Sequence, residues 1–258
     1  MPNTTDLRML VAWQSMLSSW DSWLLTAILL VIVPAVGYLR FRRLQINARL
    51  ARPVRTKLTL YARIICWQWL LVAAMMLVIR RHGLSMADVG ERFGDARLTL
   101  AVTAGLLLIL GAVTVIILRR IQRSPPERLA ARVGPLRHIL PAFGPEMVAF
   151  AFVSLNAGVC EELLYRGWLV NLLRAATGSA WIAIVVGAAA FGIGHVYQGT
   201  KGMLRTGFVG LQLAYLFVVV DSLIPGQALH AAVDLVTAFA LATAVSRLGV
   251  VEVDATGD

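Results

Sequence analysis

Cys160-Glu161-Glu162-Leu163-Leu164-Tyr165-Arg166-Gly167-Trp168 is the stretch on which the reading of this chain turns. Two adjacent carboxylates and a guanidinium stand inside a run otherwise apolar enough to cross a bilayer. An ionisable group in hydrocarbon costs kilocalories, so within a span it faces the bundle interior or a cavity and pairs with something there. Two later histidines, His195 and His230, lie in equally apolar surroundings. The functional question is whether these groups converge on one site.

The rest of the chain says what they are embedded in. Of its 258 residues, 59% are hydrophobic and only 15% charged, which is too apolar for an ordinary soluble domain and places the chain among polytopic membrane proteins. The formal net charge of +10 lies in the links between apolar stretches. It reads as positive-inside topology and contact with anionic lipid. No basic-aromatic module accompanies it, so nucleic acid is not an expected partner. All but two of the 24 basic residues are arginines, the exceptions being Lys57 and Lys201. That usage, with abundant alanine, leans towards a GC-rich bacterial genome and hence the inner membrane of a bacterium. Cys66 and Cys160 both fall in apolar spans, so a disulfide framework is not expected. The N-terminal stretch has a long polar lead and no small-residue cleavage site, so it does not read as a signal peptide.

A span needs roughly 20 mostly apolar residues. Seven such stretches follow one another: Trp23 to Leu39, Tyr61 to Ile79, Leu98 to Leu118, Glu146 to Leu173, Ala180 to Val196, Thr206 to Val220 and Gln227 to Leu248. The fold class is therefore all-α, a transmembrane helical bundle of about seven spans, or eight if one escapes this reading. Trp13, Trp20 and Trp23 read as an interfacial belt, and Arg40 to Ala51 as either a short interfacial helix or a solvated loop. Two strongly basic links, one from Arg40 to Arg63 and one from Arg119 to Arg137, face the cytoplasm by the positive-inside rule. This puts the N-terminus outside and the C-terminus inside. The proline-rich second link divides the chain into 1–145, three N-terminal helices, and 146–250, a core whose last four helices wall a polar cavity.

Within a helix, residues four apart share a face, whereas neighbours point about 100° apart. Glu162 and Arg166 are thus placed to form an ion pair, with the glutamate on the favourable N-terminal side, and Glu162 reads as ionised and structural. Glu161 points elsewhere and has no base three or four residues away. A desolvated carboxylate without a partner in its helix suits a general base. His195 lies four after Phe191, and His230 lies four before Asp234, which can orient its ring. Either histidine alone reads as an interhelical hydrogen bond. Glu161, His195, His230 and Asp234 together, on three spans, read as a polar cavity. Two imidazoles and three carboxylates are zinc-type ligands, but their spacing is not that of the helical zinc-protease motif. No metal site is assigned, although ligand type alone leaves a divalent metal such as zinc open.

The three motifs Glu161-Glu162-Leu163-Leu164-Tyr165-Arg166, Phe191-Gly192-Ile193-Gly194-His195 and His230-Ala231-Ala232-Val233-Asp234 resemble the pattern of the intramembrane proteases related to the CAAX prenyl endopeptidase (the CPBP or ABI family). That pattern is Glu-Glu-x-x-x-Arg, Phe-x-x-x-His and His-x-x-x-Asn/Asp on successive helices. The likeness covers roughly residues 146–235. It implies a membrane-embedded endopeptidase in which Glu161 with His195 activates the attacking water. His230, with residue 234, would stabilise the oxyanion, and Glu162, Arg166 and Phe191 would support the site. The family is often described as metalloproteases, yet its structural picture favours a glutamate-activated water without metal. Position 234 departs from the donor-bearing variant of the motif: an ionised Asp234 cannot donate to an oxyanion, so it is either protonated or orients His230. A second difficulty is depth. On these span limits His195 ends its helix at one face of the membrane and His230 begins its own near the other, so they can meet only if a span is short, broken or tilted.

The expected function is hydrolysis of membrane-associated peptides or proteins. A proteolytically silent scaffold or immunity protein is the alternative, and a transporter or proton relay a third reading. The lack of internal repeats weighs against transport.

Overall fold

The computed structural model describes residues 4–47, 54–125, 127–129 and 141–255. Eight helices run through them. These are α1 (Thr4–Leu17), α2 (Trp20–Ala27, Ile28–Ile32 and Val33–Asn47 as one rod), α3 (Val54–Arg81), α4 (Ala96–Arg123), α5 (Pro145–Thr177), α6 (Ala180–Gly194), α7 (Gly199–Val220) and α8 (Ile224–Ala255). No strand occurs among the described residues. Six of the helices are long and apolar enough to cross a membrane, and α6 is a shorter apolar helix of 15 residues. The chain is a polytopic all-α bundle, with all seven expected stretches present as helices.

Two expectations change. The polar lead is itself a helix, α1, whose Met16 is fully buried and whose Trp13 sits 6.1 Å from Trp168. Trp13 is therefore a core residue, while Trp20 and Trp23 are exposed. A reading that looks for roughly 20 apolar residues passes over α1, whose apolar residues occupy one stripe of a helix of 14 residues. Second, there is no separate interfacial helix at Arg40, because α2 simply continues to Asn47. Residues 48–53 and the later part of the second basic link, Arg132 and Arg137 included, lie outside the described residues. Helices from both parts of the chain share one buried cluster. Met16, Leu71 and Met75 pack in one cluster with Leu164 and Trp168.

The difficulty of depth is resolved by two helix limits. α5 and α6 are antiparallel and joined by a tight turn at Gly178. Glu161 lies sixteen residues before the end of α5 and His195 just beyond the fifteenth residue of α6, so at 1.5 Å per residue both lie about 24 Å from that turn. α6 stops there. The start of α8 is sunk into the bundle, with Leu223 packed against Gly167, ten residues short of the end of α5. A helix start can be buried only if its orphan N–H groups find partners. Ser222 Oγ accepts from Ile224 N–H at 3.3 Å, and the 82–95 link holds the start in place: Leu223 N–H donates to Gly90 O at 2.9 Å, the Gln227 side chain donates from Nε2 to Glu91 Oε2 at 2.6 Å, and Arg92 pairs with Asp221. The mixed-sign link is thus a plug over the α7–α8 turn.

α5 and α8 cross closely at Gly158. A methyl group there would come within 2.6 Å of Gln227 O and 2.8 Å of Ala231 Cβ. Gly158→Val is accordingly expected to push α8 outwards and cost about 1–3 kcal/mol, the usual penalty of overpacking. Thermal unfolding in detergent measures this, and an unchanged melting temperature would show that α8 yields freely.

Candidate active site

Glu161 and Glu162 stand at the last α-helical turn before a π-helical stretch, Leu163–Val170, in α5. Such widened turns cluster at functional sites because they re-aim side chains. One carbonyl near the widening, Gly167 O, accepts from Asn171 Nδ2 at 2.9 Å, a local side-chain partner for a loosened helix. All eight residues of the stretch are buried.

Glu162 is enclosed. Its Oε1 accepts from Arg166 Nη1 at 2.8 Å and from His230 Nδ1 at 2.8 Å, and both the Glu162 and Arg166 side chains are only 1% exposed. Arg166 also donates to Gly210 O on α7 at 3.1 Å and lies 4.3 Å from the centre of the Phe191 ring. The pair deduced from helix spacing is therefore present, and it ties α5 to α6, α7 and α8. The structure gives the task of orienting His230 to Glu162. Asp234 Oδ2 is 3.8 Å from His230 Nε2, beyond hydrogen-bond range, and its side chain is 40% exposed.

Glu161 faces the other way, into a cavity. Its Oε2 has no hydrogen-bond partner among the described residues and lies 3.8 Å from His195 Nε2 and 3.9 Å from His230 Nε2. Both rings have a defined proton. His195 Nδ1 is 2.9 Å from Phe191 O, and a carbonyl can only accept, so Nδ1 carries the hydrogen and Nε2 of the neutral ring is a bare acceptor. His230 Nδ1 likewise donates to the Glu162 carboxylate, which turns Nε2 towards Glu161. Phe191 is the spacer of the site. Its ring lies 4.7 Å from His195, 5.7 Å from His230 and 5.0 Å from Tyr165, centre to centre, with Arg166 on its face. Glu161, His195, His230 and Asp234 are thus brought together, with Glu162, Arg166 and Phe191 forming the wall behind them.

The cavity measures about 400 Å³ and is lined by α2, α3, α5, α8 and the turn after α6. From Glu161 it runs along α5 to Phe150, about 16 Å at the helical rise. Arg40 and Tyr61 line its other end, near the Lys57–Glu146 ion pair at 2.7 Å. Two residues at its deep end were not singled out in the sequence. Gln68 on α3 donates to Glu161 Oε1 at 2.8 Å, and the Tyr197 ring lies tilted 5.8 Å from the His195 ring. The only signal for Gln68 was an amide in the middle of the second span, with no motif around it. Among the described residues no three His, Cys, Asp or Glu side chains are grouped closely enough to hold a metal ion.

Fold and site define the class, a multi-pass membrane protein with a glutamate–histidine cluster on the wall of a cavity between its helices. A family model described as type II CAAX prenyl endopeptidase Rce1-like matches residues 143–236, which take in all three motifs. The resemblance read from those motifs is borne out: this segment, a little over a third of the chain, is similar to the CAAX-type membrane endopeptidases that the model describes. No curated protein and no solved structure matches the chain.

Proposed function

We propose that this protein is a glutamate-dependent intramembrane endopeptidase that hydrolyses peptide bonds of membrane-associated peptides or proteins. The observation that carries the reading is Glu161 Oε2, unpartnered and facing two imidazole nitrogens at 3.8 and 3.9 Å. These gaps suit a water molecule whose two hydrogens point to Glu161 and to His195 Nε2, both acceptors. With a peptide carbonyl beside it, the water oxygen attacks the carbonyl carbon as Glu161 takes one proton. The developing oxyanion is stabilised by a donor, and His230 serves when its Nε2 is protonated. Asp234 stands beside that nitrogen and balances the charge of such a ring. Return of the Glu161 proton to the amide nitrogen lets the C–N bond break and yields a carboxylate and an amine.

Substrate enters from the end that carries Arg40 and Lys57, the basic side expected to face the cytoplasm, where the arginine-rich links also engage anionic lipid. The setting is the cell membrane, in a bacterium the inner one. The test is cleavage of a peptide library by the purified protein in detergent, with His195→Ala as a site variant. Removing the acceptor at position 195 is expected to lower kcat about 10²-fold or more, the usual contribution of an acid–base group. Full activity in that variant would sink the assignment of His195.

A further inference from the structure

Gln68 lies outside the matched segment, on α3, yet it is the described residue that hydrogen-bonds Glu161. An interhelical hydrogen bond is ordinary glue between membrane helices. The network behind this one is directional. Cys160 Sγ donates to Asn156 Oδ1 at 3.7 Å, Asn156 Nδ2 donates to Gln68 Oε1, and Gln68 Nε2 donates to Glu161 Oε1 at 2.8 Å. An amide can be turned either way in principle. Here the Asn156 amino group fixes the Gln68 oxygen, and so forces the Gln68 amino group onto the carboxylate. Asn156 is buried, and Cys160 is wholly so. Glu161 is left with two unlike oxygens, one held and one, Oε2, facing both histidines.

We propose that Gln68 is a positioning residue, held in register by Asn156, that pins one oxygen of Glu161 so that the other is the base. The inference rests on the peptidase reading for its kinetic consequence and on geometry alone for the clamp. It makes α3 part of the catalytic apparatus: without it the Glu161 carboxylate has nothing to fix its rotation. A misplacement of about 1 Å can cost on the order of 100-fold in rate.

The test uses the full chain in detergent. Gln68→Met keeps length and removes the donor, and Asn156→Leu keeps size and frees the Gln68 amide to turn. Each is expected to lower kcat about 10- to 100-fold with KM within about twofold. The double variant is expected to be no slower than the worse single one, since the two residues act as one unit. A structural role would instead multiply the two losses or leave kcat alone. The second readout needs no turnover. The infrared carboxylate bands of Glu161, taken as the difference between the wild type and Glu161→Gln, should shift in Gln68→Met and in Asn156→Leu. Bands that stay put in both variants, or kcat within about twofold of the wild type, would overturn the clamp. Shifted bands in a protein that cleaves no peptide would uphold the clamp and remove the peptidase reading.

Discussion

Glu161→Gln leaves a folded protein that no longer cleaves peptides. The amide is isosteric, and its oxygen can still accept from Gln68 Nε2, so the α3–α5 contact survives. What is lost is the proton acceptor facing His195 and His230. Acid–base groups of this kind contribute about 10² to 10⁴ in rate, and this one has no neighbour able to replace it. Glu162 cannot step in, because its Oε1 is held by Arg166 and His230 and its side chain is sealed from the cavity. The expected result is a fall in kcat of about 10³-fold or more, with substrate binding and the melting temperature near those of the wild type. Single-turnover cleavage alongside thermal unfolding measures both. Turnover within tenfold of the wild type would mean that another group activates the water.

Arg166→Met carries the largest expected loss of stability. The side chain is 1% exposed and serves three partners on three helices: Glu162 on α5, Gly210 O on α7 and the Phe191 ring on α6. Removing it strands a carboxylate in a dry interior. Breaking a buried pair from one side costs about 3–5 kcal/mol, because the remaining charge has been desolvated without compensation. Arg166→Lys is not expected to restore the loss, since an ammonium cannot reach Glu162 and Gly210 at once with the planar fork of a guanidinium. Replacing both partners, as Arg166→Met with Glu162→Leu, should recover much of the stability. It should not recover cleavage, because His230 then has no acceptor at Nδ1 and nothing fixes its ring. Thermal unfolding and peptide cleavage on the same samples separate the two effects. A single variant that melts like the wild type would show that Glu162 is not charged in the folded protein.

The site was legible wherever its geometry is internal to one helix. Glu162 and Arg166 are four residues apart, so the helical repeat alone places them together, and the structure has them at 2.8 Å. The same repeat turns Glu161 away from that pair. Phe191 and His195 are likewise four apart, and the carbonyl of the first receives the Nδ1 hydrogen of the second. The spacing between His230 and Asp234 was as plain but misleading. Four residues bring the two side chains to 3.8 Å, while Glu162, 68 residues away in sequence, takes the hydrogen bond. Local spacing says which groups can meet and not which partner wins.

Composition and hydropathy alone determined that this chain is a helical membrane bundle, and three four-residue spacings determined which face of its helix each of a carboxylate and two histidines occupies. Only the tertiary structure decided that they meet. That rests on α6 ending at Gly194, on α8 starting deep beneath the 82–95 plug, and on Gly158 letting α8 close on α5. It decided, too, that Glu161 is held from outside the motif helices, by Gln68. The physical reason is the range of the forces that set each feature. Hydrocarbon sorts residues one at a time and the helical repeat acts over four, so both can be read along the chain. The depth at which a helix starts or stops depends on which distant groups satisfy its free N–H and C=O ends, and on how closely two backbones can approach.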